Sequence, residues 1–247
     1  MKRSGKIFAV ASVFLFLVSS PVMANVVAVA AGIAPCVEEV VDLYVKAGGE
    51  PVELVKEACG PLARQIALGA PYELFLASEP RWPIWLKDKG LLTEVDTFAI
   101  GQLTLWHVSS DPIDVSQTET AVIAIPDPET TAYGNLAKQY LDKIGLWDRK
   151  MNEKRIILVG SAPQAVAAVK ARTAEMAFIP LSMAIKAGGS YTSIPDMVIE
   201  QVGGLTAKAD DGARKFWAFC RSENATPIWV KWGFVIPDKS QKGKISK

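Results

Sequence analysis

Short, dense apolar runs alternate along the chain with stretches whose apolar residues recur at helical spacing, and small-residue turns mark most of the switches. Residues 25–31 form a Val-rich run fit for a buried strand. Ala31-Gly32-Ile33-Ala34-Pro35 then opens a helix that runs through Tyr44, with Glu38 and Glu39 in its early turns, where the helix dipole favours acid. Gly48-Gly49 closes it and residues 52–55 read as a second strand. Cys59-Gly60-Pro61 starts the next helix, whose apolar face carries Leu62 and Ile66 and which Gly69 and Pro71 end. A buried strand over 72–78 and a helix over 82–89 follow, then a strand over 98–108 and a polar turn over 109–116. The series then repeats in kind: strand 121–125, helix 133–144, strand 156–159, helix 163–172, strand 176–179. Gly203-Gly204 marks a loosened crossing, and helices over 213–220 and 227–232 close the chain.

This order predicts an α/β protein with parallel strand pairs. The chain crosses between its two series near residues 100–105 and again near 198–204. Two lobes are therefore expected, each a mixed sheet flanked by helices, with the two crossing strands as a hinge. Lobe 1 takes residues 25–103 and 204–247, and lobe 2 takes residues 104–203.

The ends and the charge set the compartment. Lys2, Arg3 and Lys6, an apolar core over 7–18 and Val22-Met23-Ala24 make residues 1–24 a secretory signal. That core is too short to span a bilayer, and no cysteine follows the cleavage site, so a soluble, exported, periplasmic protein is expected. Residues 238–247 read as a disordered tail. Removing the three basic residues of the signal leaves 24 basic against 26 acidic, a net charge of about −2. Nucleic acid and an electrostatic membrane grip are excluded as partners, and any anion site must be local.

Three helix starts share one form: Gly32-Ile33-Ala34-Pro35, Cys59-Gly60-Pro61 and Gly160-Ser161-Ala162-Pro163. A fourth, Thr131-Ala132-Tyr133-Gly134, keeps the glycine without the proline. In an open α/β sheet such turns sit at the carboxyl ends of strands, where ligands bind. Converging helix N-termini offer uncommitted N–H groups and partial positive charge, which suits a dehydrated oxyanion without lysine or arginine.

The segments LARQI, GAP and LFLASEPRWPIWLKDKGLL, then IAIPDPETTAYGNLAKQYLDKIGLWD, and finally Lys231-Trp232-Gly233-Phe234 resemble the periplasmic molybdate/tungstate-binding proteins, the solute receptors of oxyanion ABC importers. The resemblance covers nearly all of the chain after the signal. It implies a two-lobed type II periplasmic binding protein, likewise monomeric, that captures molybdate or tungstate for a membrane ABC permease, with no cofactor and no catalysis. Residue by residue, the family's two binding serines fall at Gly32, beside Ile33, and at Cys59, beside Gly60. Its backbone donors fall at Tyr133 and Ala162, and its binding tyrosine falls at Pro180. Both serine hydroxyls and the tyrosine hydroxyl are thus replaced, while the hydroxyls of Ser161 and Tyr133 stand close enough in sequence to substitute.

The cysteines support a rival. Cys36 and Cys59 both lie at helix starts expected to face one cleft. They are candidates for a disulfide, for inert small side chains, or, with thiol pKa values lowered by the helix N-termini, for binding a soft metal or redox partner. A periplasmic thiol protein is therefore the alternative function. Cys220 reads as a core thiol, and His107, the one histidine, as a strand-edge residue for which a dyad with Cys59 lacks an orienting third group. No Gly-x-Ser-x-Gly, zinc spacing or lysine-bearing phosphate loop occurs, so neither an enzyme nor a bound metal is expected. Trp82, Trp85, Trp217, Trp229 and Trp232 fall on helical faces and read mostly as core.

Overall fold

The computed structural model describes residues 24–237, so the export signal and the tail expected from sequence lie outside the described residues apart from Ala24. The opening series is β1 (Asn25–Ala30), α1 (Ala34–Lys46), β2 (Val52–Glu57), α2 (Cys59–Ala67), β3 (Leu74–Ala77), α3 (Arg81–Asp88) and β4 (Leu92–His107). A 3-10 turn at Val115–Glu119 leads to β5 (Ile123–Pro126), α4 (Ala132–Lys143), α5 (Trp147–Asn152), β6 (Ile156–Val159), α6 (Ala162–Lys170), β7 (Met176–Pro180) and α7 (Leu181–Ala187). Then β8 (Ser190–Thr206) returns, and α8 (Asp211–Cys220) and α9 (Thr226–Lys231) finish the fold.

The strands form one sheet of eight, in the order β2-β1-β3-β8-β4-β7-β5-β6. β1 pairs in parallel with β2 and β3, and β5 in parallel with β6 and β7. Each half is a mixed run of parallel and antiparallel strands flanked by helices, as expected, and the two runs join in one sheet. β4 and β8, 16 and 17 residues long, are long enough to belong to both halves, and their antiparallel pairing makes the sheet continuous. The C-terminal part of β8 pairs with β3, while the last part of β4 pairs with β7. The two crossings lie side by side, with Ile100 opposite Glu200 and Gly101 opposite Ile199.

Just beyond that point the register slips between Gln102 and Thr104, leaving Ile194 to Met197 bulged on β8. Pro195 belongs there because a bulge requires no ladder N–H, and Asp196 takes φ 62° within it. The Gln102 amide fills the gap by donating to the Ile194 and Met197 carbonyls at 2.7 and 3.1 Å.

Burial follows the two halves. One core cluster covers the β1 half and packs Phe75, Leu76 and Phe98 with Phe216, Trp217 and Trp229. Phe98 meets the Trp217 ring edge-on at 6.0 Å and the Trp229 ring at 5.1 Å. At about 25 cal/mol per Å² and roughly 150–250 Å² per ring, each buried tryptophan contributes ~4–6 kcal/mol. Two further clusters flank the β5 half, one around Leu105, Tyr133 and Phe178, the other around Trp106, Val166 and Ile179. Glu38 and Glu39 lie beyond the first turn of α1, so cations rather than the helix dipole hold them: Lys56 and Lys186 face Glu38, and Lys231 faces Glu39.

Candidate functional site

Four helix starts converge between the two halves of the sheet. Each follows a strand that ends at the same edge, β1 into α1, β2 into α2, β5 into α4 and β6 into α6. Three of these helices have no side-chain cap: the N-cap residues are Ile33 for α1, Ala58 for α2 and Ser161 for α6. Only Thr131 at α4 caps in the usual way, accepting from the Gly134 N–H at 3.2 Å. Gly134 is required there, because a Cβ would sit 2.0 Å from the Pro126 carbonyl oxygen. Among the described residues, the N–H groups of Gly32, Cys59, Tyr133, Ser161 and Ala162 receive no backbone partner. Uncapped helix starts left without acceptors make an electropositive pocket of donors.

They surround a cavity of about 20 Å³, lined by Gly32, Cys59, Ser78, Thr131, Tyr133, Ser161 and Ala162 with small alanines between them. That exceeds the roughly 10–15 Å³ that one water needs, so the space takes one compact group of a few atoms. No charged side chain lines it. The nearby Glu79, buried at the end of β3, has its carboxyl pushed above the usual range by burial, which Arg81 at 3.2 Å counteracts.

Of the residues singled out in the sequence, the cavity brings together Gly32, Cys59, Tyr133, Ser161 and Ala162. Ile33, Gly60 and Pro180 do not line it. Ile33 is fully buried in the core of the β1 half. Gly60 donates its N–H to the Thr130 carbonyl at 3.2 Å, so that donor is already spent. Pro180 packs against Gly32 instead, its Cγ 3.0 Å from where a Gly32 Cβ would lie. Ser78 was not expected at the site, and Thr131 entered only as the opening of the fourth helix start. Ser78 follows the apolar strand Leu74–Ala77, and a polar residue at a strand's carboxyl end was the available signal. The Tyr133 hydroxyl is turned to the hinge strands, where Gln201 donates to it at 3.3 Å and where Gly101 has no side chain to displace it.

The disulfide and the lowered thiol pKa values expected for Cys36 and Cys59 are corrected, while Cys220 is a core thiol as expected. Cys36, Cys59 and Cys220 are all free thiols, and all are buried. Only Cys59 reaches the cavity, where its sulfur accepts from the Ser78 N–H at 3.4 Å. Cys36 points from α1 into the core, where Glu39 and Cys220 are its neighbours. Burial, with Glu79 assisting, pushes the Cys59 thiol up to about 12, and burial raises Cys36 further. Desolvation outweighs the helix dipole, so neither is a thiolate near neutrality. Among the described residues no cluster of His, Cys, Asp and Glu could hold a metal ion. His107 sits at the end of β4, its ring nitrogen 3.0 Å from the Asp111 carbonyl oxygen, and does not line the cavity.

Comparison with known proteins agrees with this architecture. The chain is 28% identical over 222 residues to the molybdate-binding protein ModA of Rhodobacter capsulatus, covering 85% of this chain and 87% of that protein. It is 29% identical over 226 residues to ModA of Azotobacter vinelandii, covering 85% and 89%. The solved Azotobacter vinelandii periplasmic molybdate-binding protein superposes with a TM-score of 0.81 at 26% identity, over 87% of this chain and 100% of that one. With residues 26–235 matching the family model, this chain belongs to the bacterial extracellular solute-binding proteins.

Proposed function

We propose that this protein captures a small tetrahedral oxyanion of the molybdate or tungstate type in the periplasm and presents it to a membrane ABC importer. The observation that carries the reading is the neutral cavity walled by uncapped helix starts from both halves of the sheet. Such a site holds a fully ionised anion through N–H donors and needs no lysine or arginine. The names of the relatives support the choice of anion. Capture is closure of two bodies, residues 25–103 with 204–237 and residues 104–203, about β4 and β8, and the closed monomer is what the importer recognises. No bond is made or broken. The thiol alternative loses its ground, since buried neutral thiols neither pair nor ligate.

A thermal-shift panel of molybdate, tungstate, sulfate, phosphate, chromate and soft metal ions tests this. An oxyanion at 100 times its Kd raises stability by about 2.7 kcal/mol. Stabilisation by molybdate or tungstate is expected. Stabilisation by soft metals alone would overturn the reading.

A further inference from the structure

The inner cavity is not sealed. Ala31, Ala58 and Ser161 are walls both of it and of a second space, a cleft of about 850 Å³ between the two halves. This cleft persists although the halves already touch. Gly60 N–H reaches the Thr130 carbonyl, the Ser182 hydroxyl donates to the Gly32 carbonyl at 3.0 Å, and Arg81 donates to the Glu129 carbonyl at 3.0 Å. A bare oxyanion would fill the inner cavity and leave the rest to water. Yet the cleft has the size of sites for whole organic molecules, roughly 300–1,000 Å³.

Its walls suit an organic body. Ala34, Pro35, Val166 and Met183 supply apolar surface. Lys56 and Lys186 also reach it, but both are engaged by Glu38. Gln164 and Lys170 on α6 also line the cleft, and their side chains have no hydrogen-bond or ion-pair partner among the described residues. The passage from cavity to cleft runs past two alanines and one serine, so a fourth substituent can leave there without displacing a bulky side chain.

Resting on the oxyanion reading above, we propose that the site takes a tetrahedral oxyanion joined to a small organic body, a phosphate monoester or an organic sulfonate. The head's terminal oxygens accept from the N–H groups of Gly32, Cys59, Tyr133 and Ala162. The body passes Ala31 and Ala58 into the outer cleft, and an anionic group on it meets Lys170 and Gln164. No carboxylate lines the inner cavity to accept a P–OH proton, so the head enters fully ionised.

Calorimetry with molybdate, sulfate, phosphate, sulfoacetate and phosphoglycolate separates the possibilities. Sulfoacetate or phosphoglycolate should bind at least tenfold tighter than its bare parent, sulfate or phosphate, and which one does so identifies the head. Gln164→Trp fills the exposed wall of the outer cleft and should weaken the substituted anion at least tenfold. The same variant should leave the affinity for any bare oxyanion within twofold. Lys170→Ala should weaken the carboxylate-bearing probe several-fold, with unchanged melting confirming the fold of both variants. Bare oxyanions that bind while neither substituted one does better would overturn this inference and leave the oxyanion reading standing. If no anion of either kind binds, both fall.

Discussion

The amide of Gly60 donates to the carbonyl of Thr130 at 3.2 Å, tying the start of α2 to the turn before α4 across the cleft. Space beside that contact is tight. A Cβ on residue 60 would lie 3.0 Å from Trp82 Cζ2 and 3.4 Å from the Thr130 oxygen. Gly60→Val should therefore hold the halves apart and weaken oxyanion binding at least tenfold. The unliganded melting temperature should move by no more than about 4 °C, the shift expected from ~1 kcal/mol in a chain of this size. Calorimetry paired with a melting curve checks both.

Ala162 is a wall of the inner cavity. Ala162→Leu adds three carbons to about 20 Å³ of space, so the anion loses its place rather than one bond. Binding should drop a hundredfold or more, with overpacking costing roughly 1–3 kcal/mol of stability. Titration with molybdate and with sulfate reads the loss, and retained affinity would mean that the anion sits elsewhere.

Cys59→Ser puts a hydroxyl, a better donor than a thiol, at the same cavity wall. Oxyanion affinity should hold, or rise by up to about tenfold, the worth of one good hydrogen bond. A variant that folds and no longer binds would show that sulfur itself carries recognition.

The buried thiols also predict a pH response. Cys59, near 9 when unfolded, is pushed up to about 12 in the fold, and Cys36 and Cys220 are raised as well. The folded chain keeps protons that the unfolded chain releases, so this contribution is complete below pH 9 and is lost as pH rises toward 12. Melting temperature should fall across that window, and less steeply in a Cys36→Ala, Cys59→Ser double variant. A thiol reagent at pH 8 should find all three cysteines only after unfolding.

Most of the element order was legible because small-residue turns punctuate it: Gly48-Gly49 after α1 and Gly160-Ser161 before α6 are unambiguous breaks. α7 was not legible, since Pro180 passes from β7 into it with no loop between. Of β8 only the crossing near 198–204 was legible, because Pro195 and Asp196 sit in a bulge that interrupts the strand pattern before it. At the site, helix starts could be read but not side-chain direction. Cys36 and Cys59 occupy similar places in α1 and α2, yet one faces the core and the other the cavity. Gly60 had the right address for an anion donor, and a carbonyl from the opposite half took the bond.

The two halves differ in how the chain supplies them. The apolar clusters of the β5 half draw only on residues 103–199, one uninterrupted stretch. The β1 half joins Val27 and Leu76 to Trp217, Trp229 and Phe234, and its last bridge pairs Val235 with Ile100. Closing contacts so far apart in sequence is slow, so the middle of the chain should become compact first. The beginning must then wait for the end. A chain cut before Trp229 should keep a protease-resistant middle while its first hundred residues stay digestible.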